Sequence, residues 1–170
     1  MNTKDKLREE IKMTTKEKET KKEVSKRVEV VSLKVVKEKS IQYLPRKVSS
    51  PQDAVDLCRK FLNNLPEERM ISISLNTKNE FNNVTTVSIG TLNSSLAHQR
   101  EIYKVAVMSN ASSIIIAHNH PSGNPDPSKE DIDITKRLKE AGEILGIRLL
   151  DHIIIGEEDR FVSLKEMDIL

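Results

Sequence analysis

The 170-residue sequence predicts an α/β (α+β) fold, a mixed β-sheet flanked by helices, from three observations. Short β-prone apolar runs alternate with segments of helical periodicity, as in a layered domain with one core. Aromatic residues make up only 3% and Trp is absent, so the core must be built from Ile, Val and Leu. The run SSIIIA at 112–117 is apolar on both faces, as a buried central strand is.

Residues 1–27 are rich in Lys, Glu and Thr and too poor in apolar side chains to offset the entropy of ordering. They are expected to form a charged, flexible tail. In 28–37, VEVVSLKVVK, the density of valine predicts a strand. Ser49 or Ser50 can cap a following helix, and Pro51 suits its first turn. Ala54, Val55, Leu57, Cys58, Phe61 and Leu62 recur at helical spacing, which makes Cys58 a core residue. MISISLN at 70–76 and VTTVSIGTL at 84–92 flank the turn Thr77-Lys78-Asn79-Glu80 and predict an antiparallel hairpin. Ile102, Val105, Ala106 and Ser109 mark an amphipathic helix over 98–109. The buried strand 112–117 follows, then a loop holding Pro121, Pro125 and Pro127. A helix is expected from Ser128 to about Leu145 with Gly146 as its stop, then strands at 147–155 and 161–164. The chain thus divides into the tail, 1–27, and one domain, 28–170. In that domain a strand and helix (28–64) precede the core that carries the chemistry (65–170).

Charge is uneven. Residues 1–40 carry a net of +5 and the remainder a net of −3. A weak electrostatic contact with nucleic acid would therefore rest on the tail alone. A single cysteine excludes an internal disulfide and suits a reducing, cytoplasmic setting. The N-terminus has no apolar core of a signal peptide, and no stretch approaches the ~20 apolar residues of a membrane span. The strand expected near residue 28 offers an edge through which two copies could pair as a homodimer.

The chemistry lies in IIIAHNHPSGNPDPSKED, 114–131. The chain leaves a buried strand at His118, and alternate positions of extended backbone share a side, so His118 and His120 present two imidazoles together. Asp131 falls in the first turn of the next helix, where it can face the histidines if the loop folds back. Two imidazoles and a carboxylate are a common zinc set, with water in the fourth position. Asp131 has a second reading, because Ser128-Lys-Glu-Asp131 is close to a capping box and lies at the positive end of the helix dipole. The two roles do not exclude each other. The tripeptide His-Asn-His is not an HNH nuclease motif, whose residues are spread over a longer segment. His152, in a late strand after Asp151, reads as structural, supporting the sheet edge, with contact to a metal ligand as the lesser alternative, and His98 reads as a surface residue.

The spacing His118-x-His120, seven residues, Ser128, two residues, Asp131 resembles the JAMM motif of JAB/MPN metalloproteases. With SIGTLNSSL at 88–96, REIYKVAV at 100–107, ASSIIIAHNHPSGNPDPS at 111–128 and LKEAGEILGIRLLDHIIIG at 138–156, the chain is similar to the RadC-like branch over 28–170. The resemblance implies a cytidine-deaminase-like core and zinc held by His118, His120 and Asp131. It also implies Ser128 placed to orient the reacting carbonyl or its oxyanion. A glutamate is implied as general base for the metal-activated water. Local sequence leaves Glu67, Glu68, Glu80 and Glu101 open, and alignment with the family selects Glu68, just before the first core strand. The activity implied is hydrolysis of an amide or isopeptide-like bond in a protein or peptide. The alternative is a non-catalytic accessory of DNA repair with a structural metal. Residues 1–50 lack the helix-hairpin-helix region common in RadC-like proteins, and Gln99 stands where a proline often precedes the residue matching Arg100.

Overall fold

The computed structural model describes residues 27–89 and 98–170. The expectations for the tail up to residue 26, and for the strand beyond residue 89, lie outside the described residues.

Residues 34–170 form one compact unit. Five strands make a single sheet: β1 (Arg69–Leu75), β2 (Phe81–Ile89), β3 (Ser113–Asn119), β4 (Arg148–Ile155) and β5 (Phe161–Ser163). Their order across the sheet is β2-β1-β3-β4-β5. β3 and β4 are parallel and every other pair is antiparallel, so the sheet is mixed as expected. Among the described residues three helices cover it: α1 (Pro51–Leu62), α2 (Gln99–Met108) and α3 (Lys129–Leu145). The parallel pair needs a crossover, which α3 supplies.

Alternation along the strands divides the core in two. Ile71, Ile73, Leu75, Ile115, Ala117, Ile153 and Ile155 pack against Ala54, Val55, Leu57, Cys58 and Leu62 of α1. On the opposite face Met70, Ile114 and Ile116 meet Ile102, Tyr103 and Ala106 of α2 and Ile134 and Leu138 of α3. His118 and His152 fall on this second face. Cys58 is wholly buried, as its helical spacing predicts, and burial pushes its thiol pKa up.

Both main caps follow their local sequence. The Ser50 hydroxyl accepts the N–H of Asp53, whose carboxylate accepts the Ser50 N–H at 2.8 Å. The same reciprocal box joins Ser128 and Asp131 at the start of α3. Gly146 ends α3 at φ +69°, a conformation that a side chain disfavours.

Two expectations need correction. β3 continues through His118 to Asn119, because both neighbours supply ladder partners there: Met70 of β1 pairs with His118 and Ile155 of β4 with Asn119. Residues 28–37 form no strand. The apolar positions there change phase twice, at Val30/Val31 and Val35/Val36, so no single face gathers them. Val28, Val30, Val31, Leu33 and Val36 stand exposed, with no ladder partner for their backbone. The strand edge invoked for a homodimer is therefore missing at that place. Nearer the core, Val48 N–H donates to the Asn79 carbonyl at 2.9 Å and the Tyr43 hydroxyl to the Asp53 carbonyl at 2.6 Å.

Gly142 sits where α3 crosses α2. A Cβ there would collide with the Tyr103 hydroxyl and lie 2.5 Å from the Ile147 carbonyl oxygen. Alanine in an exposed helix stabilises relative to glycine, but here the sign reverses. Gly142→Ala is expected to destabilise by about 1–3 kcal/mol through overpacking. A urea denaturation series against wild type measures it.

Candidate metal centre

Three elements bring the predicted residues to one place. β3 carries His118, wholly buried, with Asn119 after it. The chain then turns through His120, whose N–H donates to the Ile155 carbonyl at 3.0 Å and whose carbonyl accepts from Gly123 at 2.9 Å. α3 begins at Lys129 and returns Asp131 to the histidines.

His118 Nε2 lies 3.0 Å from His120 Nε2 and 3.2 Å from Asp131 Oδ1, and His120 Nε2 lies 3.5 Å from Asp131 Oδ2. A tetrahedral ion with bonds of 2.0–2.1 Å separates its ligands by about 3.4 Å, so the set has the dimensions of a metal site. The two readings of Asp131 are reconciled by its two oxygens. Oδ2 accepts the Ser128 N–H at 2.8 Å and the Ser128 hydroxyl at 2.6 Å, while Oδ1 faces His118. Ser128 thus spends its hydroxyl proton on Asp131 and stands in the structure as the cap.

The electrostatics match this arrangement. Burial opposes charge on Asp131, yet the imidazole nitrogens of His118 and His120 and the Ser128 hydroxyl hold its pKa well below the usual carboxylate range. Asp131 in turn raises the pKa of His120 against the cost of burial. The His120 Nδ1–H donates to the Asn124 carbonyl at 2.8 Å, which leaves Nε2 as the atom turned to the cluster.

Glu68 is the only one of the four candidate glutamates brought here. Its carboxylate reaches 4.0 Å from His118 Nε2. Glu67 pairs with Arg69, Glu80 with Asn76 and Arg46, and Glu101 with Lys104. Two groupings of side chains among the described residues could hold a metal ion: Glu68, His118 and His120, and His118, Asp131 and His152. His152 is the weaker ligand, because both of its nitrogens are engaged: Nε2 lies 2.9 Å from His118 Nδ1 and Nδ1 lies 2.6 Å from the Thr135 hydroxyl. β4 is an interior strand, so His152 does not support a sheet edge. Its ring is wholly buried behind His118, and burial, then the nearness of His118, drives its pKa far down.

Sequence reasoning missed Asn119. Its side-chain carbonyl accepts the Arg69 N–H at 2.9 Å and its amide donates to the Glu67 carbonyl at 3.0 Å. These bonds hold the backbone on both sides of Glu68 and extend the β1–β3 ladder by one rung made of a side chain. The central position of His-Asn-His was the available signal: an amide at the end of a strand can imitate a backbone partner. A cleft lined by Asn63, Asn64, Pro121, Gly156 and Glu157 opens beside His120.

The profile of the RadC-like JAB domain family matches residues 48–169. A UPF0758 protein of Clostridium perfringens is 54% identical over 124 residues, 73% of this chain and 54% of its own length. One from Desulfitobacterium hafniense is 50% identical over 123 residues, 72% of this chain and 54% of its own. One from Caldanaerobacter subterraneus is 51% identical over 119 residues, 70% and 51%. The chain spans about half the length of these curated relatives.

Asn119→Ala should leave two backbone groups beside Glu68 without partners and cost about 1–3 kcal/mol. Asn119→Asp, which keeps only the acceptor for Arg69, should recover part of that loss. Thermal unfolding of the two variants beside wild type gives the comparison.

Proposed function

Because the chain belongs to the RadC-like JAB domain family, we propose that it is a zinc-dependent metallohydrolase of the JAMM type, cleaving an amide or isopeptide-like bond in a protein or peptide. The observation that carries this reading is the convergence of His118 Nε2, His120 Nε2 and the Asp131 carboxylate, with the Glu68 carboxylate 4.0 Å from His118 Nε2. His118, His120 and Asp131 would hold the ion.

When bound, zinc supplies Lewis acidity, polarising a carbonyl and making water a nucleophile near neutral pH. The chain's own groups do the rest. Glu68, held by its backbone neighbours on Asn119, takes the proton of the attacking water and returns it to the leaving amine. General-base help of this kind contributes about 10²–10⁴-fold. Ser128 would orient the carbonyl oxygen of the substrate. For that its hydroxyl must turn from Asp131, whose Oδ2 keeps the Ser128 N–H. The cleft beside His120 supplies amide side chains suited to the backbone of an extended peptide. A reducing, cytoplasmic setting suits the single buried cysteine, and among the described residues no helix is long and apolar enough to cross a membrane.

The other reading, an accessory protein with a structural metal, would close the site with four protein ligands, Glu68 being the fourth. One set of measurements separates the two. Elemental analysis should find about one zinc per chain, absent from His118→Ala; negligible metal in wild type would sink the site. Zinc uptake must expel the proton that Asp131 stabilises on His120, so apparent affinity is expected to rise with pH. Glu68→Gln should retain zinc and abolish cleavage of a peptide library. Loss of zinc in that variant would instead make Glu68 a ligand and favour the structural role.

A further inference from the structure

We propose that His152, held by Thr135, is a positioning residue that fixes His118 as the Nδ1–H tautomer and so turns the Nε2 lone pair toward Asp131 and His120. The inference rests on the metal-site reading above and assigns a role to two residues outside the ligand set.

The argument is a count of protons along one buried chain. The Thr135 hydroxyl lies 2.6 Å from the Asp131 backbone carbonyl and 2.6 Å from His152 Nδ1. A carbonyl oxygen cannot donate, so the single hydroxyl proton belongs in the first contact. The Thr135 oxygen must then accept, and His152 Nδ1 is the protonated nitrogen. A neutral imidazole carries one proton, so its Nε2 is a bare acceptor. His152 is wholly buried and hydrogen-bonds no carboxylate; Asp131 lies within 4.8 Å, but burial outweighs its pull and keeps the ring neutral. His118 Nδ1, 2.9 Å away, must supply the proton of that bond. Asp131 Oδ1, 3.2 Å from His118 Nε2, draws a proton the other way, and the relay through His152 opposes it, leaving Nε2 with its lone pair. At His120 the Asn124 carbonyl does the same task directly. His118 cannot use a loop carbonyl, because it lies inside a strand whose backbone groups are spent on β1 and β4.

The relay also ties the ligands together. Thr135 bonds back to the residue that carries the carboxylate ligand, one helical turn before it. The same first two turns of α3 therefore position Asp131 and, through His152, set the proton of His118.

Long-range ¹⁵N–¹H correlation of the imidazoles in metal-free protein, in mildly alkaline solution, reads the tautomer directly. Wild-type His118 is expected to be protonated at Nδ1. His152→Leu and Thr135→Val should give a mixture of tautomers. Zinc affinity, measured by competition with a chromogenic chelator, should weaken about 10–100-fold in His152→Leu. It should weaken less in Thr135→Val and recover largely in His152→Gln, whose amide oxygen can accept from His118 Nδ1. A merely structural histidine would give no such recovery and no change of tautomer. An Nε2-protonated His118 in wild type overturns the proposal. So do unchanged tautomer and affinity in a folded His152→Leu. If His152→Leu fails to fold, Thr135→Val, nearly equal in shape, carries both measurements. If wild type binds no zinc, the metal reading falls, and the tautomer of the metal-free protein still decides the relay.

Discussion

His118 is wholly buried, and a buried imidazole has two nitrogens that each require a partner. Leaving either without one costs about 1–3 kcal/mol. Much of the site is the answer to that requirement. Nδ1 is met from within the sheet by His152 on β4, and Nε2 by His120, 3.0 Å away, beside the Asp131 carboxylate. The first partner demands that β4 lie beside β3, and the second that α3 begin over the end of β3. The parallel pairing of β3 and β4 with α3 as crossover satisfies both at once.

Burial and polarity are kept apart by alternation along the strands. The face toward α1 is almost wholly apolar, and Ile115, Ala117, Ile153 and Ile155 fill it. The opposite face is largely apolar where α2 and the body of α3 cover it, Ser72, Ser74 and Thr135 apart, and polar at the end of β3, where the α3 N-terminus arrives. The imidazoles therefore open onto a part of that face where a helix offers N–H groups and a carboxylate rather than aliphatic side chains. Asp131 serves both the helix and the cluster because a carboxylate has two oxygens. Its Oδ2 closes the capping box, and its Oδ1 is left for His118. Anchoring by the cap keeps the carboxylate still and facing the histidines.

Glu68 approaches the same point from the far side, off the end of β1. Nothing in its own segment is regular, so its place depends on Asn119, which grips the peptides on either side of it. The residue between the two histidines thus links their cluster to the acid beside it. Within His-Asn-His, alternation turns the outer two side chains to the cluster and the middle one to β1.

What the sequence by itself determined was whatever short-range geometry controls. Helix periodicity and caps defined α1, α2 and α3. The i, i+2 spacing made His118 and His120 neighbours, and the Ser128–Asp131 spacing made the cap. The proline-rich loop fixed how far apart these pieces lie along the chain. Family resemblance was needed to select Glu68, since four glutamates are alike in local context. Tertiary structure alone decided the rest. It paired His118 with a histidine 34 residues away and Asn119 with peptides 50 and 52 residues away. It also left the valine-rich 28–37 without a strand, since a strand exists only where another offers it a ladder. Such partners are chosen by which elements pack together, and no local pattern of residues encodes that choice.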